Sequence, residues 1–583
     1  MSDRRHNAEA PACASEKVPR TMKWWGWGTE SQGFDPVGRP HLWPYARHHL
    51  DLDDQRPRRL PVDRRNLTLP PRVAVPAFLN DLETILPGDR RSDADQDRLL
   101  HAYGRSTRDL WRLRHGMVDF APDLVVFPNS EDEIVALVRL AERHGVVLIP
   151  FGGGSNVAGC LEWPSRDGRM TVSVNLRLLN RVLEIDRAAG TARIQAGILG
   201  PDLERELGAS GLTLGHFPDS FPYSTLGGWV ATRSSGMMSD RYGNVEDMVV
   251  SLRMATPRGM VATRPVPHAS NGPDSNRACI GSEGTLGIIT ELTMAVHRQP
   301  AVRAFRGYLF RDFATGIEAL RETVRQGCRP TLSRLHDPKR TQLSAAFKPD
   351  GGAAERTLGP LIKWYLRRIK GFDLDQACLL VTGFDGDRVE VAQARRRAAN
   401  VYRRFGAVDL GRSPGEAFAE GKFDFPYIRD FLMDYDVIVD VSETSISWGK
   451  MMPLYREGLE VLSRRLAHGG RKAWVGCHVS HTYHSGASLY FSFAFRCRSD
   501  GQGRIDPAAE LAHYSAAKKA TLDCFAALGA TLSHHHAVGY EHLPWYMNEN
   551  GMAGASATQA IKAVVDPHNI MNPGKLVATT VAS

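Results

Sequence analysis

The stretch "TLSHHHAVGYEHLPW" (531–545) sets His534, His535 and His536 in consecutive positions. Imidazoles titrate near pH ~6.5, so such a cluster can take up protons, contact phosphate or hold a metal. In an extended chain neighbours alternate sides, which predicts that His534 and His536 project together while His535 opposes them. That arrangement suits three-ligand metal binding poorly, unlike two histidines one helical turn apart. The other histidine-rich stretch, "GCHVSHTYH" (476–484), lacks a carboxylate or second cysteine at ligand spacing. The expectation is proton handling and phosphate contact, without a metal. Close by, Tyr490 sits in the alternating run "LYFSFAF". A strand there puts Leu489, Phe491, Phe493 and Phe495 on one face and Tyr490, Ser492 and Ala494 on the other. A phenol, with a reference pKa of about 10, needs an imidazole or a cation beside it to exchange protons at neutral pH.

Three glycine-rich loops offer a second chemistry. The first, Pro150, Phe151, Gly152, Gly153, Gly154, Ser155 and Asn156, directly follows the strand-like "VVLIP". The second carries Asp219, Ser220, Phe221, Pro222, Tyr223, Ser224 and Thr225, then Thr232, Arg233, Ser234 and Ser235. The third carries Glu283, Gly284, Thr285, Leu286, Gly287, Ile288 and Ile289. Glycine lets backbone N–H groups approach a phosphate without a Cβ clash, and the serines and threonines add hydroxyl donors. A single loop of this kind is more often only a turn. Three of them, roughly 65 residues apart and each beside a strand, point to a bound nucleotide. No G-x-G-x-x-G opens a helix and no G-x-x-x-x-G-K-[ST] occurs, which excludes the dinucleotide-binding Rossmann fingerprint and argues against an ATPase.

The elements that must position these groups read as a mixed α+β chain. "DLVVFP", "NSEDEIVALVRLAERHG" and "VVLIP" form a strand–helix–strand unit with an N-cap and apolar residues at helical spacing. Short strands follow ("RVLEID", "TARIQAG"), then a helix near Pro201. Beyond about 300, strands such as "LLVTGFDGD" and "DVIVDV" mix with long helices, the last near 507–528. Residues 1–21 read as disordered, 22–119 as short helices and connections (40–72 extended), 120–299 as the loop-bearing domain, 300–525 as a cap domain, and 526–583 as a segment completing the site. At 583 residues the chain needs more than one core. Its 42% hydrophobic and 24% charged content is that of an ordinary soluble protein. Eight scattered cysteines without a CxxC pair fit a reducing cytoplasm. No apolar run is long enough to span a bilayer, and neither a secretory signal nor a peroxisomal S-K-L ending is seen. The net charge of +8 permits anionic substrates or an anionic membrane, while the absence of a reading motif argues against nucleic acid.

The three loops together resemble the FAD-binding domain of the vanillyl-alcohol oxidase type, in which two small α+β subdomains hold the flavin. "MKWWGWG", "GHFPDSFPYSTLGGWVATRSSGM", "YGNVEDMVVSLRMATPRG", "MDYDVIVDVSETS" and "SHHHAVG" further resemble the alkyldihydroxyacetonephosphate synthases of ether-lipid synthesis, over about residues 22–575. The resemblance implies non-covalent FAD, and exchange of the acyl chain of acyl-dihydroxyacetone phosphate for a fatty alcohol through a flavin N5 adduct. It implies acid/base roles for Tyr490 and His534–His536, an activity role for Arg334 and substrate contact for Arg429. The partners it implies are lipid substrates and a second copy in a homodimer. One departure is Val441, where the family pattern carries a serine before "SETS". Leu361, Ile362, Tyr365, Leu366 and Ile369 share one face of the helix expected over 358–372, with Lys363, Arg367, Arg368 and Lys370 largely off it. This is the profile of an interfacial helix, consistent with a cytoplasmic protein peripheral on a membrane. The rival reading is a flavin-linked 2-hydroxy-acid dehydrogenase, whose characteristic ending "DPHNIMNPGKL" (566–576) also occurs here. A flavin- or lipid-binding protein without turnover is a third.

Overall fold

The structure, a computed structural model, describes residues 21–163, 166–350 and 352–576. Residues 1–20, expected to be disordered, lie outside the described residues. The loop-bearing half consists of two small sheets. In the first, the strands Leu124–Val126 and Val147–Phe151 both run parallel to Thr171–Asn175. They are linked by the helix Glu131–His144, which Ser130 caps at its start and left-handed Gly145 ends. Its apolar stripe of Ile134, Leu137, Val138, Leu140 and Ala141 is buried on this sheet. The second sheet is antiparallel, in the order 182–186, 191–195, 288–295, 249–256 and 259–262, over a core of its own. The two-subdomain arrangement expected from the loops is therefore present.

The other half is built on one antiparallel seven-stranded sheet. Its order is Val408–Gly411, Val302–Phe310, Cys378–Gly386, Leu332–His336, Ala473–Thr482, Gly486–Arg496 and Val437–Ser447. Leu489, Phe491, Phe493 and Phe495 sit fully buried in the largest core, with the helices Met451–Leu466 and Pro507–Leu528 packed on that face. Each such side chain contributes roughly 1.5–3 kcal/mol by leaving water. The period of two then fixes the opposite face. It carries Val441 and Glu443, Ser488, Tyr490 and Ser492, His478 and Ser480, and Arg334 and His336. A hydrophobic run on one face thus obliges its polar partners to look into the space between the two halves.

Two expectations differ from the structure. The segment 40–72 is not wholly extended, because Leu42–Leu50 is a helix. Leu42, Ala46 and Leu50 recur every fourth residue and are buried, which outweighs the polar composition around them. The helix Pro507–Leu528 is not the last; Leu543–Val565 follows, kinked at Gly551, which has φ 67°. The chain end then returns to the loop-bearing half, where Met571 bridges Leu148. "MKWWGWG" closes a turn (Lys23 N–H to the Gly28 carbonyl, 2.8 Å) and docks on the cap through the Trp27 N–H and the Asp430 carboxylate. Among the described residues no helix is long and apolar enough to cross a membrane.

Candidate active site

A cavity lies between the glycine-rich loops and the polar face of the large sheet. Its first wall is backbone. A Cβ on Gly152 would lie 2.2 Å from the Thr225 hydroxyl, and one on Gly153 only 1.7 Å from the Tyr223 carbonyl oxygen. No side chain fits between these loops, so peptide groups themselves face the cavity. All of Pro150–Asn156 line it, as do Asp219, Ser220, Ser224, Thr225, Thr232, Ser234 and Ser235 from the second loop. Glu283, Gly284, Gly287 and Ile289 line it from the third.

The remaining loop residues of the expected set do not line this wall. Phe221 packs on Trp229 and Phe423, and Pro222 beside it is also off the wall. Tyr223 meets Trp27 edge-on at 5.7 Å. Left-handed Arg233 pairs with Glu246 at 3.1 Å. Leu286 and Ile288 belong to the cores, and the Thr285 carbonyl accepts from Lys562 at 2.7 Å. Asn572, absent from the expected set, lines the cavity and donates to the carbonyls of Cys160 (3.0 Å) and Glu283 (2.7 Å). This gives the "DPHNIMNPGKL" ending a role in the loop-bearing half, so it does not favour a dehydrogenase.

The second wall is made of side chains. Glu443, Tyr490, His478 and His336 stand in one row across four strands, since Glu443 is paired with Tyr490, Tyr490 with His478, and His478 with His336. The buried Glu443 carboxylate accepts the backbone N–H of His534 (2.8 Å), His535 (3.1 Å) and His536 (3.2 Å), and the Ser533 hydroxyl (2.7 Å). The triplet is therefore wrapped around an anion and not extended, and the expected alternation fails. All three rings surround the Tyr490 region: the Tyr490 hydroxyl lies 2.5 Å from His535 Nε2, and the His536 ring meets Tyr490 edge-on. His534 Nε2 is 2.5 Å from the Tyr483 hydroxyl, and its Nδ1 is 2.8 Å from His535 Nδ1. His481, from "GCHVSHTYH", stacks on His534. Ring nitrogens of His481, His534 and His535 lie within 4.8 Å of one another, a metal-ligand spacing that the alternating reading did not foresee.

Burial holds the imidazoles of His534 and His535 below their usual value against the pull of Glu443, and pushes His536 down to about 4. Burial works to raise the Glu443 carboxyl, yet the three imidazoles and the backbone donors outweigh it and keep it well below the carboxylate range. The site thus pairs neutral, proton-accepting rings with a fixed anion behind them. Beside it, Lys518 bridges Asp440 (3.1 Å) and Glu541 (3.8 Å), and burial lifts the Glu541 carboxyl to about 7.

The two expected arginines diverge. Arg334 lines the cavity with its Nε unpartnered. Arg429 also lines it, but its guanidinium is committed to the Arg105 carbonyl (2.7 Å) and the Asp430 carboxylate (3.2 Å). Asp430 in turn holds the Trp27 N–H, so Arg429 stiffens the dock of the N-terminal turn. Arg340, which nothing in "HDPKR" singles out, is buried at the cavity with its Nε unpartnered. Val441 lines the cavity beside Ser492, so this position offers no hydroxyl.

Residues 122–263 match the family described as FAD binding domain, and 299–576 the one described as FAD linked oxidases, C-terminal domain. The alkyldihydroxyacetonephosphate synthase of Dictyostelium discoideum is 38% identical over 96% of this chain and 94% of its own length. The chain belongs to the alkyldihydroxyacetonephosphate synthases. The enzyme of that name from Trypanosoma brucei brucei is 39% identical over 87% of this chain and 82% of its own. A solved alkyldihydroxyacetonephosphate synthase superposes with a TM-score of 0.79, at 36% identity, covering 95% of this chain and 99% of that one. The chain is thus an α+β enzyme of the vanillyl-alcohol oxidase type, and FAD is its cofactor. The backbone-lined wall fits that cofactor. Its glycine cradle suits a pyrophosphate, and the same cavity extends to the Tyr490 row.

Proposed function

We propose that this synthase exchanges the acyl chain of a 1-acyl-dihydroxyacetone phosphate for a long-chain alcohol, giving the alkyl ether and a free fatty acid. The observation that carries the reading is the Tyr490–His535 contact, set on a carboxylate-anchored triplet and aimed into the cavity opposite the glycine loops. When bound, FAD supplies an electron-accepting ring for chemistry at the substrate carbon, with no net oxidation. Tyr490 Oη, with His535 Nε2 as its proton acceptor, takes the proton from C1. It returns the proton there after the C1–O bond to the carboxylate breaks and the C1–O bond to the alcohol forms. The alcohol's own proton leaves with the carboxylate as the free fatty acid. His534, through Tyr483, and His536 extend the relay, and Glu443 fixes their backbone. Arg334 binds the phosphate, as the natural fork for that group.

The chains need a route to a bilayer. The helix Gly352–Arg368 and its C-terminal turn expose Leu361, Ile362, Trp364, Tyr365 and Ile369, between 41% and 60% accessible, with Lys363, Arg367, Arg368 and Lys370 alongside. Leu366, expected on the same apolar face, is instead buried against Leu309, Phe372 and Ala377 and anchors the helix. This surface would dock the enzyme on an anionic membrane, and sedimentation with phosphatidylserine vesicles tests it. The reaction is tested by incubating the holoenzyme with palmitoyl-dihydroxyacetone phosphate and labelled hexadecanol. Ether product with equimolar palmitate is expected. Rapid anaerobic bleaching of the flavin by D-lactate or D-2-hydroxyglutarate, without ether product, would instead establish a dehydrogenase.

A further inference from the structure

Next to the Tyr490 row the cavity holds two cationic groups that the fold leaves without a contact ion pair. Arg334 comes from the strand Leu332–His336, and Arg340 from the first turn of the helix Pro338–Ala346. Neither guanidinium has an ion-pair or hydrogen-bond partner among the described residues, and Nε of each is buried and orphaned. The adjacent acid, Asp337, is spent on backbone: it caps its helix through the Arg340 N–H (2.7 Å) and accepts the Cys477 N–H (2.8 Å). Asp219 faces the same space and attracts both guanidiniums from a distance, without a direct ion pair or hydrogen bond to either. Aromatic rings back both cations, Phe418 at 5.4 Å from Arg334 and Phe425 at 6.0 Å from Arg340. Two imidazoles complete the surround. His336 and His478 lie 5.9 Å apart, each with an orphaned ring nitrogen, and His478 stacks on Tyr490 at 4.7 Å.

Unpaired buried charges are costly, and a fold keeps them where a ligand of opposite charge completes them. A monocarboxylate, with two oxygens, can serve only one guanidinium fork. A phosphomonoester has enough oxygens for two forks and a neutral imidazole N–H. We propose that Arg340 and Arg334 form a two-guanidinium clamp on the substrate phosphate, and that Arg429 is a positioning residue outside it. The clamp rests on the function proposed above. It orients the substrate with phosphate at Arg334 and Arg340 and C1 beside Tyr490, with His478 between.

The test uses FAD-loaded wild type, Arg340→Gln and Arg340→Lys. It compares thermal midpoints with inorganic phosphate, glycerol 3-phosphate and D-2-hydroxyglutarate, and KM against kcat for palmitoyl-dihydroxyacetone phosphate. Both phosphates are expected to raise the wild-type midpoint more than the dicarboxylate does. Arg340→Gln should lose most of that shift and be at least as stable as wild type without anion, because an uncompensated buried charge has gone. Its KM should rise about 10–100-fold with a smaller change in kcat, the loss expected for a charged hydrogen-bonding partner. Arg340→Lys should fall between, since an ammonium keeps the charge but not the fork. An undiminished phosphate shift in Arg340→Gln overturns the clamp, as does a loss of anion-free stability with KM unchanged. Stronger stabilisation of wild type by the dicarboxylate overturns it as well. Ether synthesis with an unchanged KM in Arg340→Gln sinks the clamp alone. An Arg340-dependent phosphate shift in a protein that makes no ether sinks the reaction alone.

Discussion

The two walls of the cavity are built on opposite principles. The loop-bearing wall is backbone, where Gly152 and Gly153 are pressed against Tyr223 and Thr225 with no space for a Cβ. The sheet wall is side chain, where Glu443, Tyr490, His478 and His336 come from four strands, two of them one hairpin, and meet in one row. A pyrophosphate needs many equivalent N–H donors, which glycine loops supply without regard to side-chain identity. Proton transfer needs particular groups at hydrogen-bond distance, which a rigid sheet supplies through register. The first wall therefore tolerates changes of polar residues but not of glycine. The second tolerates changes of backbone neighbours but not of the row itself.

The largest expected effect breaks the first wall. Gly153→Val places a branched side chain where even a Cβ meets the Tyr223 carbonyl, and the purified protein should lack the visible flavin spectrum. Retention of stoichiometric FAD would show that the loops do not form the cradle. The next breaks the second wall and spares the first. Glu443→Gln removes the charge that three backbone N–H groups share, and should cost roughly 1.5–3 kcal/mol in urea unfolding while FAD still binds. An unchanged unfolding midpoint would mean that the triplet is held by something else.

A pH experiment sharpens the same contrast. His536 is held at about 4 in the fold, whereas the unfolded imidazole takes its proton near pH ~6.5. The unfolded chain thus binds the extra proton between these values, and stability is lost as pH falls through the window. Relative to His536→Asn, wild type should lose up to roughly 3 kcal/mol between pH ~6.5 and ~4. A stability difference that stays flat across that range would contradict a buried neutral ring. The smallest effect lies outside both walls. Ile369→Ser, 60% exposed, should shift stability by no more than ~0.5 kcal/mol yet weaken vesicle binding. Unchanged vesicle binding would remove that helix from the membrane contact.

Legibility in the sequence followed the same division. Loops of consecutive glycines announce themselves because the constraint is local, and most of the residues named there do line the cavity. Strand period separated Tyr490 from Phe491 and Phe493, but only the family resemblance marked it as more than a packing residue. The triplet was visible but its geometry was not, since the alternation rule assumes an extended chain and Glu443, 91 residues before His534, overrides it. Arg340 and Arg429 show the same limit for charge. Both are arginines in polar surroundings, and only tertiary structure reveals that one is tied to Asp430 and the other left unpaired. Phe221, Leu286 and Ile288 sit in glycine-rich stretches but serve the cores beneath them.

The most direct test of a backbone wall that binds and a side-chain wall that reacts is Tyr490→Phe, assayed for flavin content and ether synthesis in one preparation. Full FAD occupancy with ether formation lowered about 10²–10⁴-fold is the predicted result. Ether formation at the wild-type rate, or loss of the flavin together with activity, would contradict it.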